Sequence, residues 1–262
     1  MIDEYYISDK EYRTFYENLN NLRFRVVSDL PIRSSVNILD IGSGYGYFTI
    51  EVAKHDANLQ VTGIDISEQA VRKARKNIKL HNLQKRVRII EMDATRMQFG
   101  KKSFDMAVSF TGFEDIHMTR GRKGVHATFS QVNAVLKPHS FFCLVVMPTD
   151  EMETVAQKTE VDLYSYICDA TWLRSRVYKK MLEQAGFKLI RRKEYYTGKK
   201  LTANQAKLEI KYACKNVPQI YGIDTPTFAD IWRKFGKKIE EQGLGQYSKV
   251  VLIVAQKRKD LQ

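Results

Sequence analysis

From residue 36 onward, short runs of β-branched and aromatic residues alternate with longer segments in which apolar side chains recur every three or four positions. The short runs cover residues 36–40, 59–65, 87–92, 104–110 and 141–147, each of strand length. Helical spacing fills 47–55, 68–82 and 122–136, the last closed by Lys137-Pro138, because proline brings no N–H to continue a helix. A further helix over 172–185 ends at Gly186 in the manner of a C-cap, and two more strands are predicted over 187–195 and 249–256. Strands alternating with helices in this way predict an α/β architecture around a parallel sheet.

Two regions stand outside the alternation. Residues 1–30 read as helical, with Tyr5, Tyr6, Tyr12, Phe15, Tyr16, Leu19, Leu22 and Phe24 giving them an aromatic, amphipathic character. The stretch 197–248, between the sixth and seventh strands, is far longer than a hairpin needs. Helical patterns over 202–216 and 227–242, with Pro218 and Pro226 at the joint, predict an inserted helical subdomain. The expected organisation is thus a helical segment over 1–30, a core over 31–196 and 249–262 interrupted at about 148–171, and an insertion over 197–248.

Composition narrows the class. At 262 residues and 44% hydrophobic content the chain has the makings of a packed core rather than a disordered polymer. No run approaches the roughly 20 apolar residues of a membrane span, and the first residues lack the basic start and apolar run of a secretory signal, so a cytoplasmic protein without a membrane partner is expected. Cys143, Cys168 and Cys214 are odd in number, far apart and without a C-x-x-C pair, which speaks for reduced thiols and against a disulfide framework or zinc site. The formal net charge is +13. Residues 71–88 hold eight basic and no acidic side chains, and residues 179–215 hold eleven basic against three acidic. In the first run Ala70, Val71, Ala74 and Ile78 form a buried stripe, and the Lys and Arg residues its wet face. The second, interleaved with Tyr195, Tyr196 and Tyr212, adjoins the insertion and could receive an anionic acceptor or RNA.

The most informative segment is Asp40-Ile41-Gly42-Ser43-Gly44-Tyr45-Gly46, where a strand runs into a glycine turn and then a helix. Such glycines let the backbone approach a ligand and expose amides at a helix N-terminus. A dinucleotide fold wants G-x-G-x-x-G, and in that frame the third glycine falls on Tyr47. The carboxylate of Asp40, two residues before the first glycine, repels a pyrophosphate but welcomes an ammonium group. The ligand is expected to carry a cation near the turn.

With these residues the sequence resembles the class I S-adenosylmethionine-dependent methyltransferases, most nearly the small-molecule and quinone-biosynthesis type, over roughly 36–147 and again at Ala185-Gly186-Phe187 and the last strand. The resemblance implies a three-layer, Rossmann-like, seven-stranded sheet whose seventh strand is antiparallel, with S-adenosylmethionine as cofactor. The donor turn Asp40, Gly42, Ser43, Gly44 and Gly46 is followed by Asp65 and Ile66 at the end of the second strand, 19 residues beyond Gly46. The family uses that acid on both ribose hydroxyls, and a carboxylate is suited to a vicinal diol because it accepts two hydrogen bonds. Asp93 and Ala94, after the third strand, fall where family members hold the adenine, and Ser109, on the fourth strand, completes the cofactor-binding residues that the resemblance implies. His139 and Ser140 stand where many members have glycines.

The resemblance also places the elaborations. The loop 111–125, the segment 148–171 and the insertion all leave from the carboxyl edge of the sheet, where ligands bind, and the insertion with the N-terminal helix is expected to form a lid over the acceptor. Glu114, Asp115 and His117, just past the fourth strand, are the candidate bases or acceptor-orienting groups. A solvated loop with Asp115 as a helix cap is the plainer alternative. No metal site is expected, since Asp115, His117 and the distant His126 have poor ligand spacing. A small-molecule acceptor is the leading expectation. A protein side chain or RNA docked on a basic lid is the second, and a non-catalytic module that binds S-adenosylmethionine the third.

Overall fold

In a computed structural model that describes residues 3–34 and 36–259, the elements follow the chain as β1 (Tyr5–Tyr6), α1 (Asp9–Asn18), α2 (Leu22–Val27), β2 (Asn37–Ile41), α3 (Tyr47–His55), β3 (Gln60–Asp65) and α4 (Glu68–Leu80). Next come β4 (Val87–Glu91), β5 (Phe104–Phe110), α5 (Gly112–Val135), β6 (Leu136–Val146), α6 (Val155–Ile167) and α7 (Ser175–Gln184). The last are β7 (Phe187–Tyr196), β8 (Lys199–Leu201), α8 (Ala203–Tyr221), α9 (Phe228–Gln242), β9 (Leu244–Gly245) and β10 (Lys249–Lys257).

The seven predicted strands form one sheet in the order β4-β3-β2-β5-β6-β10-β7. β2 pairs in parallel with both β3 and β5, β3 with β4, and β5 with β6. The bonds Arg258 N–H to Gly186 O (2.9 Å) at one end and Thr197 N–H to Ser248 O (3.1 Å) at the other run β10 antiparallel to β7. This is the Rossmann-like arrangement with a reversed last strand. The strand order turns back between β2 and β5, which opens a crevice beyond their carboxyl ends. Right-handed crossovers place α3 and α4 on one face, where Gly46 packs on Ala74, and α5 on the other. On that second face Phe113, Phe129, Phe142 and Phe187 pack in tilted and edge-to-face contacts, with neighbouring centroids 4.8–5.7 Å apart. Cys143 is buried in β6, and desolvation pushes its thiol up to about 12.

Several expectations need correction. The segment 111–125 is not a loop: helix begins at Gly112 and is broken only at Gly121, whose φ/ψ of 62°/−169° lies outside the helical region. At 1.5 Å per residue, Phe113 and Phe129 on one straight helix would stand about 24 Å apart. Their rings are 4.8 Å apart, so α5 folds back on itself at Gly121. The next strand starts at Leu136 rather than 141, and His139 takes a left-handed φ of 62°, the conformation a glycine would adopt there without strain. α8 runs through Pro218 to a left-handed Gly222 cap. The N-terminal segment contains β1, which joins β8 and β9 in a second, three-stranded sheet.

The chain divides into two compact units. Residues 23–146, 176–193 and 252–262 make up the sheet unit, and residues 1–22, 147–175 and 194–251 the helical unit. Within the helical unit, capping boxes start α6 (Thr154, Gln157) and α8 (Thr202, Gln205), each cap being worth about 1 kcal/mol. Glu209, buried on α8, accepts from the hydroxyls of Tyr12 (2.8 Å) and Tyr16 (3.0 Å). Glu160 holds the turn before β10 through the amides of Tyr247 (2.5 Å) and Ser248 (3.4 Å). The charge is distributed unevenly: the sheet unit carries 29 Lys and Arg against 13 Asp and Glu, the helical unit 14 against 17. The basic stretch 179–215 is split between them, and on β7 Arg191 donates to Asp29 O while Lys193 pairs with the Asp29 carboxylate (2.7 Å).

Candidate active site

β2 delivers the chain to the crevice and the glycine turn takes it into α3. Gly42, Gly44 and Gly46 have φ of +67°, +52° and +80°, where a side chain costs about 1–2 kcal/mol per residue. The turn is held by Ser43 N–H to Ile64 O (2.9 Å), Gly46 N–H to Ser43 O (2.9 Å) and Gly44 N–H to the Asp65 carboxylate (2.8 Å). A Cβ on Gly42 would lie 3.0 Å from the Gly112 Cα, whereas one on Gly44 would meet nothing within 4 Å. Gly42→Ala is therefore expected to destabilise by about 2–4 kcal/mol, from strain plus overpacking, and Gly44→Ala by the strain alone. Urea unfolding checks this; equal losses for the two variants would contradict the packing account.

Asp40 and Asp65 flank the turn, and Asp93 follows the end of β4. Asp40 is 1% exposed and accepts from the Thr49 hydroxyl (2.5 Å) at Oδ2, while Oδ1 has no hydrogen-bond partner among the described residues. Burial pushes its carboxyl up to about 7 against the Thr49 bond, with the charge of Asp65 adding to the rise. Asp65 accepts from Gly44 N–H at Oδ2 and from Ser67 N–H (2.9 Å) at Oδ1. Each oxygen keeps a lone pair, so two hydroxyls can still be received. Burial raises its carboxyl, and the amides of Ser67, Gly44 and Ile66 partly offset the rise. Ile66 is exposed and sets an apolar surface beside that acid. Asp93 caps a 3-10 turn over Ala94–Arg96, accepting from the Thr95 amide (2.8 Å) and hydroxyl (2.7 Å), and pairs with Arg120 (3.4 Å). Burial acts to raise the Asp93 carboxyl, but the Thr95 bonds and Arg120 outweigh it and hold the group below its ordinary range.

The remaining predicted residues take separate positions. Ser109 donates to Ile41 O (2.8 Å) and ties β5 to the end of β2. Glu114, Asp115 and His117 share the first half of α5, Glu114 and His117 buried three residues apart and Asp115 exposed. Glu114 is buried against Tyr178 of α7, whose hydroxyl it engages and whose ionisation burial and that carboxylate oppose. Asp115 is exposed. His117 is buried, its Nδ1 has no hydrogen-bond partner among the described residues, and desolvation followed by Arg122 holds it below its ordinary range and so neutral at pH 7. One residue near the turn carries no signal in the sequence. Arg23 of α2 is only 9% exposed, and its guanidinium lies 5.0 Å from the centroid of Tyr47 and 5.8 Å from that of Phe110.

These groups fit S-adenosylmethionine. The orphaned Oδ1 of Asp40 and the likewise unpartnered Oγ of Ser43 flank a turn with open space at Gly44, and Asp65 has the spare acceptors that a ribose diol requires. Comparison with known proteins gives the same answer. Residues 38–139 match the family model described as a methyltransferase domain. The chain is 26% identical to a demethylmenaquinone methyltransferase of Lactobacillus johnsonii over 200 residues, 66% of this chain and 80% of that one. Its fold is shared with a SAM-dependent methyltransferase from Methanosarcina mazei (17% identity, TM-score 0.59, 87% of this chain and 95% of the other). It is shared also with the cyclase SpnF (17% identity, TM-score 0.62, 98% and 88%), so the architecture by itself does not dictate the reaction. Of the folds that join a strand to a helix through a glycine turn, the dinucleotide type has no use for a buried acid at Asp40, and the family match falls on the same residues: residues 38–139 are a methyltransferase domain in a Rossmann-like fold, with S-adenosylmethionine as its cofactor.

Proposed function

We propose that the chain methylates a small-molecule acceptor that the helical unit recognises and encloses. The observation that carries this reading is the charge division: the 197–248 insertion has 9 basic against 5 acidic residues, but the helical unit that holds it has 14 against 17, so the strong basic excess of the chain lies on the sheet unit and not on the unit that holds the insertion. The relative named for demethylmenaquinone supports an acceptor of small-molecule type. Connectivity supports it as well, since residues 147–175 and 197–248 follow the carboxyl ends of β6 and β7, the edge at which such sheets bind ligands. Among the described residues no helix is long and apolar enough to cross a membrane, and the three cysteines are free, in keeping with a cytoplasmic protein.

The cofactor supplies an activated methyl group on a sulfonium. Asp40 and Ser43, on the turn shaped by Gly42, Gly44 and Gly46, bind its amino-acid end, Asp65 and Ile66 its ribose, and Asp93 and Ala94 its adenine, while Ser109 fixes the turn on which they stand. Of the candidate catalytic residues, His117 is neutral and free to take a proton at Nδ1, Glu114 positions that stretch of α5 through Tyr178, and exposed Asp115 meets the acceptor from solvent.

Cofactor labelled in the methyl group, incubated with extract divided into small molecules, RNA and protein, should label the small-molecule fraction. Label in RNA or protein would overturn the acceptor class, and no label in any fraction from a chain that binds S-adenosylhomocysteine would mark a non-catalytic module. With the acceptor so found, His117→Ala is expected to lower kcat by about 100-fold at unchanged S-adenosylhomocysteine affinity. An unaltered kcat would remove His117 from the chemistry.

A further inference from the structure

We propose that the outer face of α8 docks on an anionic lipid surface, as an interfacial contact that needs no spanning helix. Docking of this kind concerns where the chain works and stands apart from the donor and acceptor readings. It sets aside the expectation of a chain without a membrane partner, which followed from the lack of a membrane-spanning run. The exposed positions of α8 within its regular turns are Asn204, Leu208, Lys211, Tyr212, Lys215 and Gln219, spaced by three or four residues along one side, with Lys207 half-buried beside them. Leu208 and Tyr212, one turn apart, are 55% and 54% exposed. Water offers a leucine no favourable contact, whereas the headgroup boundary of a bilayer takes in its side chain and suits both the ring and the hydroxyl of a tyrosine.

The charge on this face has one sign. Lys207, Lys211 and Lys215 recur every fourth residue, and the one acid of α8, Glu209, is buried with the hydroxyls of Tyr12 and Tyr16. Lys207 and Lys211 lie over the stacked rings of Trp232 and Phe228 on α9, 4.6 and 5.3 Å from the centroids, while the acid of that stretch, Asp230, is taken by Arg233 (3.1 Å). Basic and aromatic groups set side by side in this way suit a headgroup layer. The concentration is local, since the helical unit as a whole has 14 basic against 17 acidic residues. Lysines without an exposed acid on their own helix face match the negative potential of anionic lipid. Single-stranded RNA would match the lysines and the tyrosine but has no place for Leu208.

Co-sedimentation of the full chain with vesicles of phosphatidylcholine containing about one-third phosphatidylglycerol, against vesicles of phosphatidylcholine alone, tests the contact. Binding is expected on the anionic vesicles only, and it should weaken as salt is added. Lys211→Gln combined with Lys215→Gln should lower the vesicle affinity by about 10- to 30-fold, and Leu208→Ser by about three- to tenfold at unchanged salt dependence. Lys76→Gln combined with Lys79→Gln, on the exposed side of α4, is the control and should change it by less than about twofold, with thermal melts confirming that every variant is folded. No sedimentation with the anionic vesicles, equal binding to both kinds, or a loss from the α4 pair in place of the α8 pair overturns the proposal. Binding to a uridine homopolymer that the α8 variants lose while their vesicle binding is unaltered would assign the face to RNA and overturns it as well.

Discussion

Asp65→Ala is expected to weaken S-adenosylhomocysteine binding by about 100-fold, the largest loss from any single side chain of the site. The carboxylate has two tasks. Its bonds to the amides of Gly44 (2.8 Å) and Ser67 (2.9 Å) hold the glycine turn against the start of α4. Its remaining lone pairs face the one position in the sequence pattern where a vicinal diol is expected, and hydrogen bonds to a charged group contribute about 1.5–3 kcal/mol each. Alanine removes both tasks. An asparagine side chain would keep one acceptor oxygen, so Asp65→Asn should fall between, at about tenfold. Titration calorimetry reads both, and an affinity within twofold of wild type for Asp65→Ala would show that the ribose is held elsewhere.

Asp40→Asn should have opposite effects on stability and binding. The native carboxyl titrates near 7 because it is buried, whereas in the unfolded chain it returns to about 3.9. Between these values the folded state binds the extra proton, so the contribution of Asp40 to stability falls as pH rises through that window and stays lost above 7. Asparagine has no charge to desolvate. Asp40→Asn is therefore expected to raise Tm by about 4–8 °C at pH 8 and to change it little at pH 4. Binding runs the other way: an ammonium group needs the ionised acid, so wild-type affinity should climb as pH rises through 7, while the variant stays weak and flat. Glu160, also pushed to about 7 by burial, is common to both proteins and drops out of the comparison. Melts at the two pH values, with and without S-adenosylhomocysteine, check this, and a variant less stable than wild type at pH 8 would contradict it. A protein that gives up stability to keep such an acid does so for function.

The strands of the sheet and the glycine turn between β2 and α3 were legible because both are local. A β-branched run becomes a strand wherever it is buried, and Asp40, Asp65 and Asp93 follow from their places at strand ends. What was not legible depends on tertiary contact. Residues 112–120 read as a loop because they are polar and end at Gly121 and Gly124, yet Phe113 lands on Phe129 once the chain reverses at Gly121, and that burial makes the segment helical. β6 begins early, at Leu136, although Pro138 and His139 mark a turn in sequence. Tyr5 and Tyr6 form a strand only because Lys199 and Lys200 lie beside them. The burial of Arg23 depends on the rings of Tyr47 and Phe110, which are far from it in sequence. The basic run 179–215, continuous in sequence, is divided between the two units at residue 194.

The most direct test of the central claim is calorimetric titration of the full chain with S-adenosylhomocysteine, the demethylated cofactor. The residues of the glycine turn and the three strand-end acids predict saturable binding at one site per chain, accompanied by a rise in Tm with ligand concentration. Absence of saturable heat, with no shift in Tm at millimolar ligand, would contradict it.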